Sequence, residues 1–265
     1  MKKHSLNDLS LFMLDMDGTI YLGDRLFDCT IPFLETLRKQ GKRYLFLTNN
    51  SSKNRNAYVE KLARLGIEAE PDDVFTSGEA TTLYLRETHP GASVCVIGMK
   101  TLEDEFREAG FRLENKHPDC LVLGFDQTLD YAKLTLLCDH VRAGIPYIAT
   151  HPDYNCPVEN GFIPDIGATI AYVQASTGRL PDKVVGKPHA GIAEAVMKKY
   201  GVQADELAMV GDRLYTDIAL GGEAGITSIL VYSGETTRED YAKSDIKADY
   251  VFDDLNGIRE AITRP

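Results

Sequence analysis

Acidic side chains follow two short apolar runs of this 265-residue chain. Asp15 and Asp17 come after residues 10–14, and Asp212 comes after residues 206–210. Two carboxylates at about 4 Å repel each other by about 4 kcal/mol at an effective dielectric constant of roughly 20. Such a pair is stable only if a cation joins it or if one member keeps a proton. A divalent metal such as Mg²⁺, with Asp212 as a third oxygen ligand, is the first solution, and a carboxylic acid poised as a general acid is the second.

Other predicted strand ends carry groups that suit a phosphoryl oxyanion. Thr48 offers a hydroxyl group, and the turns at Thr48–Asn49 and Asp17–Gly18 offer backbone N–H groups. Lys187 adds a compact positive charge, which stabilises a dianion while its charge redistributes. Gly18 lets the backbone approach an anion because it has no Cβ. A carboxylate nucleophile beside an acid would divide hydrolysis into two displacements through an acyl phosphate.

These residues lie on a regular alternation of strand and helix patterns. The apolar runs predict strands at 10–15, 43–48, 93–98, 120–125, 145–150, 183–186, 206–211, 227–232 and 249–252. Amphipathic segments predict helices at 54–65, 101–109, 129–143, 189–200 and 214–224. This alternation indicates an α/β fold with a mostly parallel sheet, in which ligands bind outside the carboxyl ends of the strands. The central strands end in different residues, so the middle of the chain is predicted to be a second α/β unit inserted in the first.

Composition excludes several classes of partner. The chain has 29 Lys and Arg residues against 40 Asp and Glu residues, for a formal charge of -11. This balance argues against nucleic acid or an anionic membrane as a partner and leaves open a small anion bound by a local site.

The five cysteines are odd in number and form no C-x-x-C pair, which is typical of a reducing compartment. The chain starts with the basic tip MKKH but has no apolar run long enough for a signal peptide or a membrane span, so a cytoplasmic location is predicted.

Four motifs together resemble the signature of a known superfamily. They are Asp15-x-Asp17-Gly18-Thr19, Thr48-Asn49, Lys187-Pro188 and Gly211-Asp212-x4-Asp217. In this order they resemble the four motifs of the haloacid dehalogenase-like phosphatases. The surrounding segments LDMDGTIYLGD, FLTNNSS, VVGKPH and VGDRLYTDI are most similar to the branch of NagD and the 4-nitrophenylphosphatases. The resemblance spans nearly the whole chain.

The resemblance implies an architecture and a division of the chain. It implies a Rossmann-like, doubly wound parallel-sheet core formed by 1–79 and 182–265. It also implies an α/β cap domain, 80–181, inserted between the second and third motifs and covering the site.

The resemblance also implies a role for each motif residue. Asp15 would be the nucleophile that forms an aspartyl phosphate, and Asp17 would protonate the leaving oxygen and later deprotonate water. The phosphoryl group would be held by Gly18, Thr48, Asn49 and Lys187. Mg²⁺ would bind the Asp15 carboxylate, the Asp17 backbone carbonyl and Asp212. Asp217 would orient Lys187 or the water molecules on the metal.

Three residues of the central unit have two interpretations at this point. His151, Asp153 and Asp165 are substrate contacts on one interpretation and turn or helix-capping residues on the other. The motifs do not reach this part of the chain, so both interpretations stay open.

The motif set predicts a Mg²⁺-dependent phosphomonoester hydrolase that acts through an aspartyl phosphate. Its substrates would be 4-nitrophenyl phosphate and small phosphorylated metabolites such as sugar phosphates or nucleoside monophosphates. Two alternatives remain: a phosphotransferase or phosphomutase on small sugar phosphates, and a non-catalytic phosphometabolite-binding protein. The expected partner is the small phosphorylated metabolite, with no nucleic acid and no membrane, and an exposed sheet edge on the cap would allow a homodimer.

Overall fold

The computed structural model describes residues 5–158 and 161–263 and divides them into two compact units. The core unit comprises 5–48, 58–75 and 187–263, and the inserted unit comprises 49–57 and the described part of 76–186. The basic tip at residues 1–4 lies outside the described residues. The longer segment of the inserted unit runs from Thr76 to Gly186, whereas the predicted insertion is 80–181, and residues 49–57 were predicted to belong to the core. Its assignment as a cap over a catalytic core remains a prediction.

Strands and helices alternate along both units. The strands are β1 (Leu11–Asp15), β2 (Tyr21–Leu22), β3 (Arg25–Leu26), β4 (Arg43–Thr48), β5 (Val74–Thr76), β6 (Ser93–Ile97), β7 (Arg112–Leu113), β8 (Cys120–Leu123), β9 (Tyr147–Ala149), β10 (Asn155–Val158), β11 (Gly161–Pro164), β12 (Lys183–Val184), β13 (Leu207–Gly211), β14 (Thr227–Val231) and β15 (Tyr250–Phe252). The helices are α1 (Thr30–Lys39), α2 (Arg55–Arg64), α3 (Ser77–Thr88), α4 (Lys100–Glu108), α5 (Tyr131–Arg142), α6 (Ile166–Thr177), α7 (Gly191–Tyr200), α8 (Ala219–Ala224), α9 (Arg238–Lys243) and α10 (Leu255–Thr263).

The core unit is built on a six-stranded sheet in the order β15-β14-β13-β1-β4-β5. The strands from β15 to β4 pair in parallel. The chain leaves β1 for β4 on one side and later returns to β13 on the other, so the carboxyl end of β1 lies at a topological switch point, where ligands bind in sheets of this kind. Strands β1 and β13 are buried throughout, which explains their continuous apolar sequence.

The register of the core sheet brings the motif residues to one edge. Asp15 at the end of β1 pairs with Leu47, so Thr48 lies one residue further along β4. Leu14 pairs with Val210 of β13, and Asp212 follows the end of that strand at Gly211. Parallel pairing therefore places the carboxyl ends of three predicted strands side by side.

The inserted unit contains a second parallel sheet, in the order β12-β9-β8-β6-β7. Strands β10 and β11 form a separate two-stranded antiparallel sheet in this unit. The central strand β8 is fully buried, and Tyr147 of β9 packs in the same hydrophobic core. The predicted α/β class with parallel sheets is confirmed in both units.

Each predicted strand contains an observed one, whereas one predicted helix divides in two. The segment 214–224 forms a π-helical turn at Leu214–Ile218 before α8 begins. The widened turn carries Asp217, which accepts hydrogen bonds from Lys187 Nζ and from the Arg213 N–H. Among the described residues, no helix combines the length and the apolarity that a membrane span requires.

Candidate active site

Lys187 lies between two buried carboxylates of the core unit. It is the first residue of that unit after the insertion, and its peptide bond to Pro188 is cis. Its Nζ donates hydrogen bonds to Asp15 Oδ1 at 2.5 Å and to Asp217 Oδ1 at 2.7 Å. Burial lowers the pKa of Lys187, but the charges of Asp15 and Asp217 outweigh burial and raise that pKa overall. The ammonium group therefore stays charged at neutral pH.

Three carboxylates converge around this lysine. One oxygen from each of Asp15, Asp212 and Asp217 lies within 4.8 Å of the others. Burial raises the pKa of Asp15 to about 6, although the Lys187 charge opposes this shift. Burial also raises the pKa of Asp212 to about 7, and the charges of Asp15 and Asp217 add to the effect. The carboxylates repel one another in a dry site, and this charge favours a divalent cation with oxygen ligands.

Asp212 is held by the backbone as well as by side chains. Thr19 Oγ1 donates to Asp212 Oδ1 at 3.2 Å, and the Glu235 N–H donates to Asp212 Oδ2 at 2.7 Å. A Cβ on Gly18 or Gly234 would lie 2.4 or 2.0 Å from Asp212 Oδ2. Only glycine fits at these two positions while the carboxylate keeps its place.

The turn after β1 is closed by its own backbone. Gly18 has a φ of 94°, in the region that favours glycine. Its N–H donates to the Tyr21 carbonyl at 2.7 Å, while the N–H groups of residues 19–21 point to the Met16 carbonyl. The Gly18 N–H is thus engaged within the turn, and the glycine permits the close approach to Asp212. Its contact with a phosphoryl group stays a prediction.

Two further motif residues lie near the same turn or strand edge. Asp17 is half-buried two residues beyond Asp15 and forms a β-bridge with Tyr21. Its predicted roles as acid, as base and as a carbonyl ligand stay predictions. Thr48 ends β4 and is half-buried at the edge that carries Asp15.

Asn49 follows Thr48 in the chain but belongs to the inserted unit. Its Nδ2 donates to both oxygens of Asp153, at 3.2 and 3.1 Å. Its carbonyl accepts a hydrogen bond from Ser77 Oγ. These contacts hold the residue firmly, and the use of its N–H for a phosphoryl group stays a prediction.

His151 and Asp165 form a buried pair in the inserted unit. His151 Nε2 lies 3.0 Å from Asp165 Oδ1, and its Nδ1 lies 3.1 Å from Thr150 Oγ1. Asp165 caps α6 and accepts from the Ile166 N–H at 2.6 Å. The capping interpretation therefore holds for Asp165. Although ligand atoms of His151, Asp153 and Asp165 lie within 4.8 Å of one another, hydrogen bonds engage both ring nitrogens, and substrate contact stays a prediction.

Several residues that hold the site were not identified from the sequence. Thr19 lies inside the first motif, but its hydrogen bond to Asp212 depends on contact between two strand ends. Gly234 and Glu235 follow the predicted strand 227–232, so inspection of that strand end would have pointed to them. The signal was present, because glycine and carboxylate residues follow an apolar run there.

Comparison with known proteins assigns the chain to a family. A family model described as haloacid dehalogenase-like hydrolase matches residues 12–112, and a second model of the same hydrolases matches 184–258. An acid sugar phosphatase of Staphylococcus epidermidis is 39% identical over 246 residues, which are 92% of this chain and 95% of that protein. The chain belongs to the haloacid dehalogenase-like hydrolases.

Solved structures of this family have the same fold. The structure of a 4-nitrophenylphosphatase from Thermotoga maritima is similar with a TM-score of 0.95 and 45% identity, covering 98% of this chain and all (100%) of that one. A protein described as NagD is similar with a TM-score of 0.91 and 42% identity, covering 96% and 98% of the two chains. The predicted resemblance to the NagD and 4-nitrophenylphosphatase branch is confirmed, and so is the predicted enzyme class, a phosphatase.

Replacement of Lys187 by Met in this hydrolase should lower the free energy of unfolding by about 3 kcal/mol at pH 8, because Asp15 and Asp217 would lose their buried cation. The loss should shrink at pH 5, because Asp15, whose pKa burial raises to about 6, then takes up a proton in the folded protein. Urea denaturation in EDTA measures both values. The control Lys39→Met removes a lysine whose side chain is 77% exposed and should cost less than about 0.5 kcal/mol. Equal stability of Lys187→Met and wild type would contradict this role for the lysine.

Proposed function

We propose that the protein is a Mg²⁺-dependent phosphomonoester hydrolase that acts on small phosphorylated metabolites, sugar phosphates first among them. The observation that carries the proposal is the buried cluster of Asp15, Lys187, Asp212 and Asp217 at the switch point of the core sheet. The names of the relatives, an acid sugar phosphatase and a 4-nitrophenylphosphatase, support this choice of substrates.

The carboxylates fit a hard divalent cation. Asp15 and Asp212 would hold Mg²⁺ through carboxylate oxygens, and the Asp17 backbone carbonyl is proposed as a third ligand. When bound, the cation neutralises charge on the phosphoryl oxygens. Asp217 is already engaged with Lys187 Nζ and with the Arg213 N–H, so it serves to position Lys187.

In the first chemical step, a carboxylate oxygen of Asp15 attacks phosphorus. The bond between phosphorus and the ester oxygen breaks, and Asp17 donates a proton to that oxygen as the alcohol leaves. With a pKa of about 6, Asp15 is mostly ionised at pH 7 and above. Burial keeps water from solvating this carboxylate, and Lys187 supplies a fixed positive charge beside the forming phosphoryl ester.

In the second step, water attacks phosphorus of the aspartyl phosphate. Asp17, now ionised, accepts a proton from this water molecule. The bond between phosphorus and the Asp15 oxygen breaks, which restores the carboxylate and releases inorganic phosphate. One residue thus acts as acid and then as base.

A substrate screen tests the proposal. Purified protein should hydrolyse 4-nitrophenyl phosphate and sugar phosphates with Mg²⁺ and lose this activity in EDTA. Comparison with nucleoside monophosphates at equal concentration ranks the substrate classes. Release of inorganic phosphate in the presence of free sugar acceptors separates hydrolysis from phosphoryl transfer, because a transferase would form a new sugar phosphate instead. The absence of Mg²⁺-dependent hydrolysis on every substrate would contradict the proposal.

Mg²⁺ should bind more tightly as pH rises from 5 to 8. Asp15 and Asp212, with pKa values of about 6 and about 7, hold protons at pH 5, and these protons compete with the cation. Binding should therefore release protons, and Kd should fall by roughly 10²-fold or more over this range. Isothermal titration calorimetry in two buffers of different ionisation enthalpy measures Kd and proton release together. In Asp212→Asn the proton release near pH 7 should decrease; a pH-independent Kd in wild type would contradict the assigned ligands.

The remaining predictions about partners and location are proposals as well. The acidic charge of -11 supports a protein without nucleic-acid or membrane partners, and the free cysteines support a cytoplasmic location. A homodimer through the inserted unit is tested by light scattering of the full chain. A monomer over the working concentration range would exclude it.

A further inference from the structure

A short loop after β14 surrounds Asp212 and the Gly18 turn within the core unit. Ser233 Oγ donates to the Gly18 carbonyl at 2.8 Å. The Glu235 N–H donates to Asp212 Oδ2 at 2.7 Å, and the Thr236 N–H donates to the Asp212 carbonyl at 3.2 Å. The loop therefore fixes both the backbone and the side chain of Asp212.

The side chain of Glu235 pairs with the residue that follows Asp212. Its Oε2 lies 3.0 Å from Arg213 Nε and accepts a hydrogen bond from the Tyr215 hydroxyl at 3.2 Å. The Arg213 N–H donates to Asp217 Oδ2 at 3.1 Å. The ion pair is thus anchored through the backbone to two members of the carboxylate cluster.

The groups around the site carry a net negative charge, and the Arg213–Glu235 pair adds one charge of each sign beside them. Asp15, Asp212 and Asp217 carry three negative charges when ionised, and Lys187 carries one positive charge. Burial lowers the pKa of Arg213, but the charges of Asp15 and Asp212, followed by that of Asp217, raise it overall. Arg213 is therefore a permanent second cation beside the cluster, and Glu235 compensates it.

We propose that the Arg213–Glu235 ion pair sets the balance between cation affinity and anion affinity at the carboxylate site. Arg213 acts as a positioning charge that favours a phosphate dianion and disfavours Mg²⁺. Glu235 holds the guanidinium group in place and cancels part of its charge. This inference rests on the proposed function, because it concerns the two ligands of that same site.

The proposal predicts opposite changes for the two members of the pair. Without the Glu235 charge, Arg213 is uncompensated, so Mg²⁺ should bind more weakly and inorganic phosphate more tightly. Without the Arg213 charge, Mg²⁺ should bind more tightly and phosphate more weakly. We expect removal of one unit charge to change each affinity by about tenfold at low salt. If either residue only stabilised the loop, its replacement would weaken the binding of both ligands.

The experiment compares Glu235→Gln and Arg213→Gln with wild type, all as the full chain. Calorimetry gives Kd for Mg²⁺ alone, and phosphate inhibition at saturating Mg²⁺ gives an inhibition constant for the anion. Both substitutions keep the backbone N–H groups that bond to Asp212 and Asp217. The conservative variants Glu235→Asp and Arg213→Lys keep the charges and should return both constants toward the wild-type values.

Two control variants separate charge from other effects. Glu239→Gln changes the net charge by the same amount as Glu235→Gln, but on a side chain of α9 that is 77% exposed. It should leave the Kd for Mg²⁺ and the inhibition constant for phosphate unchanged. Tyr215→Phe removes the hydroxyl contact to Glu235 without a change of charge and should also preserve them. Added salt should reduce the shifts in the two Gln variants.

The outcomes distinguish this inference from the proposed function. The inference is supported if Mg²⁺ binds more weakly and phosphate more tightly in Glu235→Gln, and if both affinities change the other way in Arg213→Gln. The charge-keeping variants should restore both constants. Three results would overturn it: affinities for both ligands that change in the same direction within a variant, changes of the reverse sign, or changes no larger than those in Glu239→Gln. Wild-type protein that binds neither Mg²⁺ nor phosphate would instead contradict the proposed function.

Discussion

Replacement of Asp15 by Asn is expected to lower kcat for 4-nitrophenyl phosphate by at least about 10⁴-fold. The amide has nearly the shape of the carboxylate but does not attack phosphorus. The fold should persist, because the replacement removes one of the three buried carboxylates that repel one another near Lys187. The activity loss should therefore occur without a loss of stability, which is the sign of a nucleophile rather than of a structural residue.

The measurement combines steady-state kinetics with urea denaturation. Asp15→Ala is measured alongside Asp15→Asn, because slow deamidation of the Asn variant would restore some activity. The control Asp72→Asn alters an aspartate whose side chain is 81% exposed and should leave kcat unchanged. An Asp15→Ala enzyme with wild-type kcat would exclude the aspartyl phosphate.

Replacement of Asp17 by Asn should lower turnover by at least about 10²-fold, the lower range for general acid–base catalysis. The loss should depend on the leaving group. 4-Nitrophenolate is a weak base and leaves without a proton, so its release suffers little from the missing acid. A sugar alkoxide is a strong base and needs the proton, so sugar phosphates should lose more turnover in the first step.

Single-turnover kinetics on both substrates tests this difference. The first step should slow strongly for a sugar phosphate and weakly for 4-nitrophenyl phosphate, while the water step slows for both because it lacks its base. Inorganic phosphate should still inhibit the variant, since Asp15, Lys187 and Asp212 remain in place. Equal slowing of the first step on both substrates would refute the acid role of Asp17.

Much of the fold and the site could be predicted because the chemistry lies at the ends of buried parallel strands. A strand buried on both faces is a continuous apolar run, such as Leu11–Leu14, and the polar residue after it stands out. Asp15, Thr48 and Asp212 each follow such a run, so local sequence was sufficient to place them at one sheet edge.

The missed features depend on contacts between segments that are distant in the chain. Strand β11 is mostly exposed, so burial imposes no continuous apolar run on it. The π-helical turn at Leu214–Ile218 has no sequence signal of its own. It is accompanied by a hydrogen bond from the Arg213 N–H to Asp217 Oδ2, which the sequence does not indicate either. Spacing alone also does not show that the Tyr21 carbonyl folds back to accept the Gly18 N–H.

Chemical trapping of the covalent intermediate tests the proposed nucleophile. Wild-type protein is mixed with Mg²⁺ and 4-nitrophenyl phosphate, quenched during turnover and reduced with borohydride, which converts an aspartyl phosphate to homoserine. Mass spectrometry of the peptide around residue 15 should show homoserine at Asp15, dependent on substrate and absent in Asp15→Asn. Turnover with an unmodified Asp15, or with the modification at another residue, would contradict the proposed mechanism.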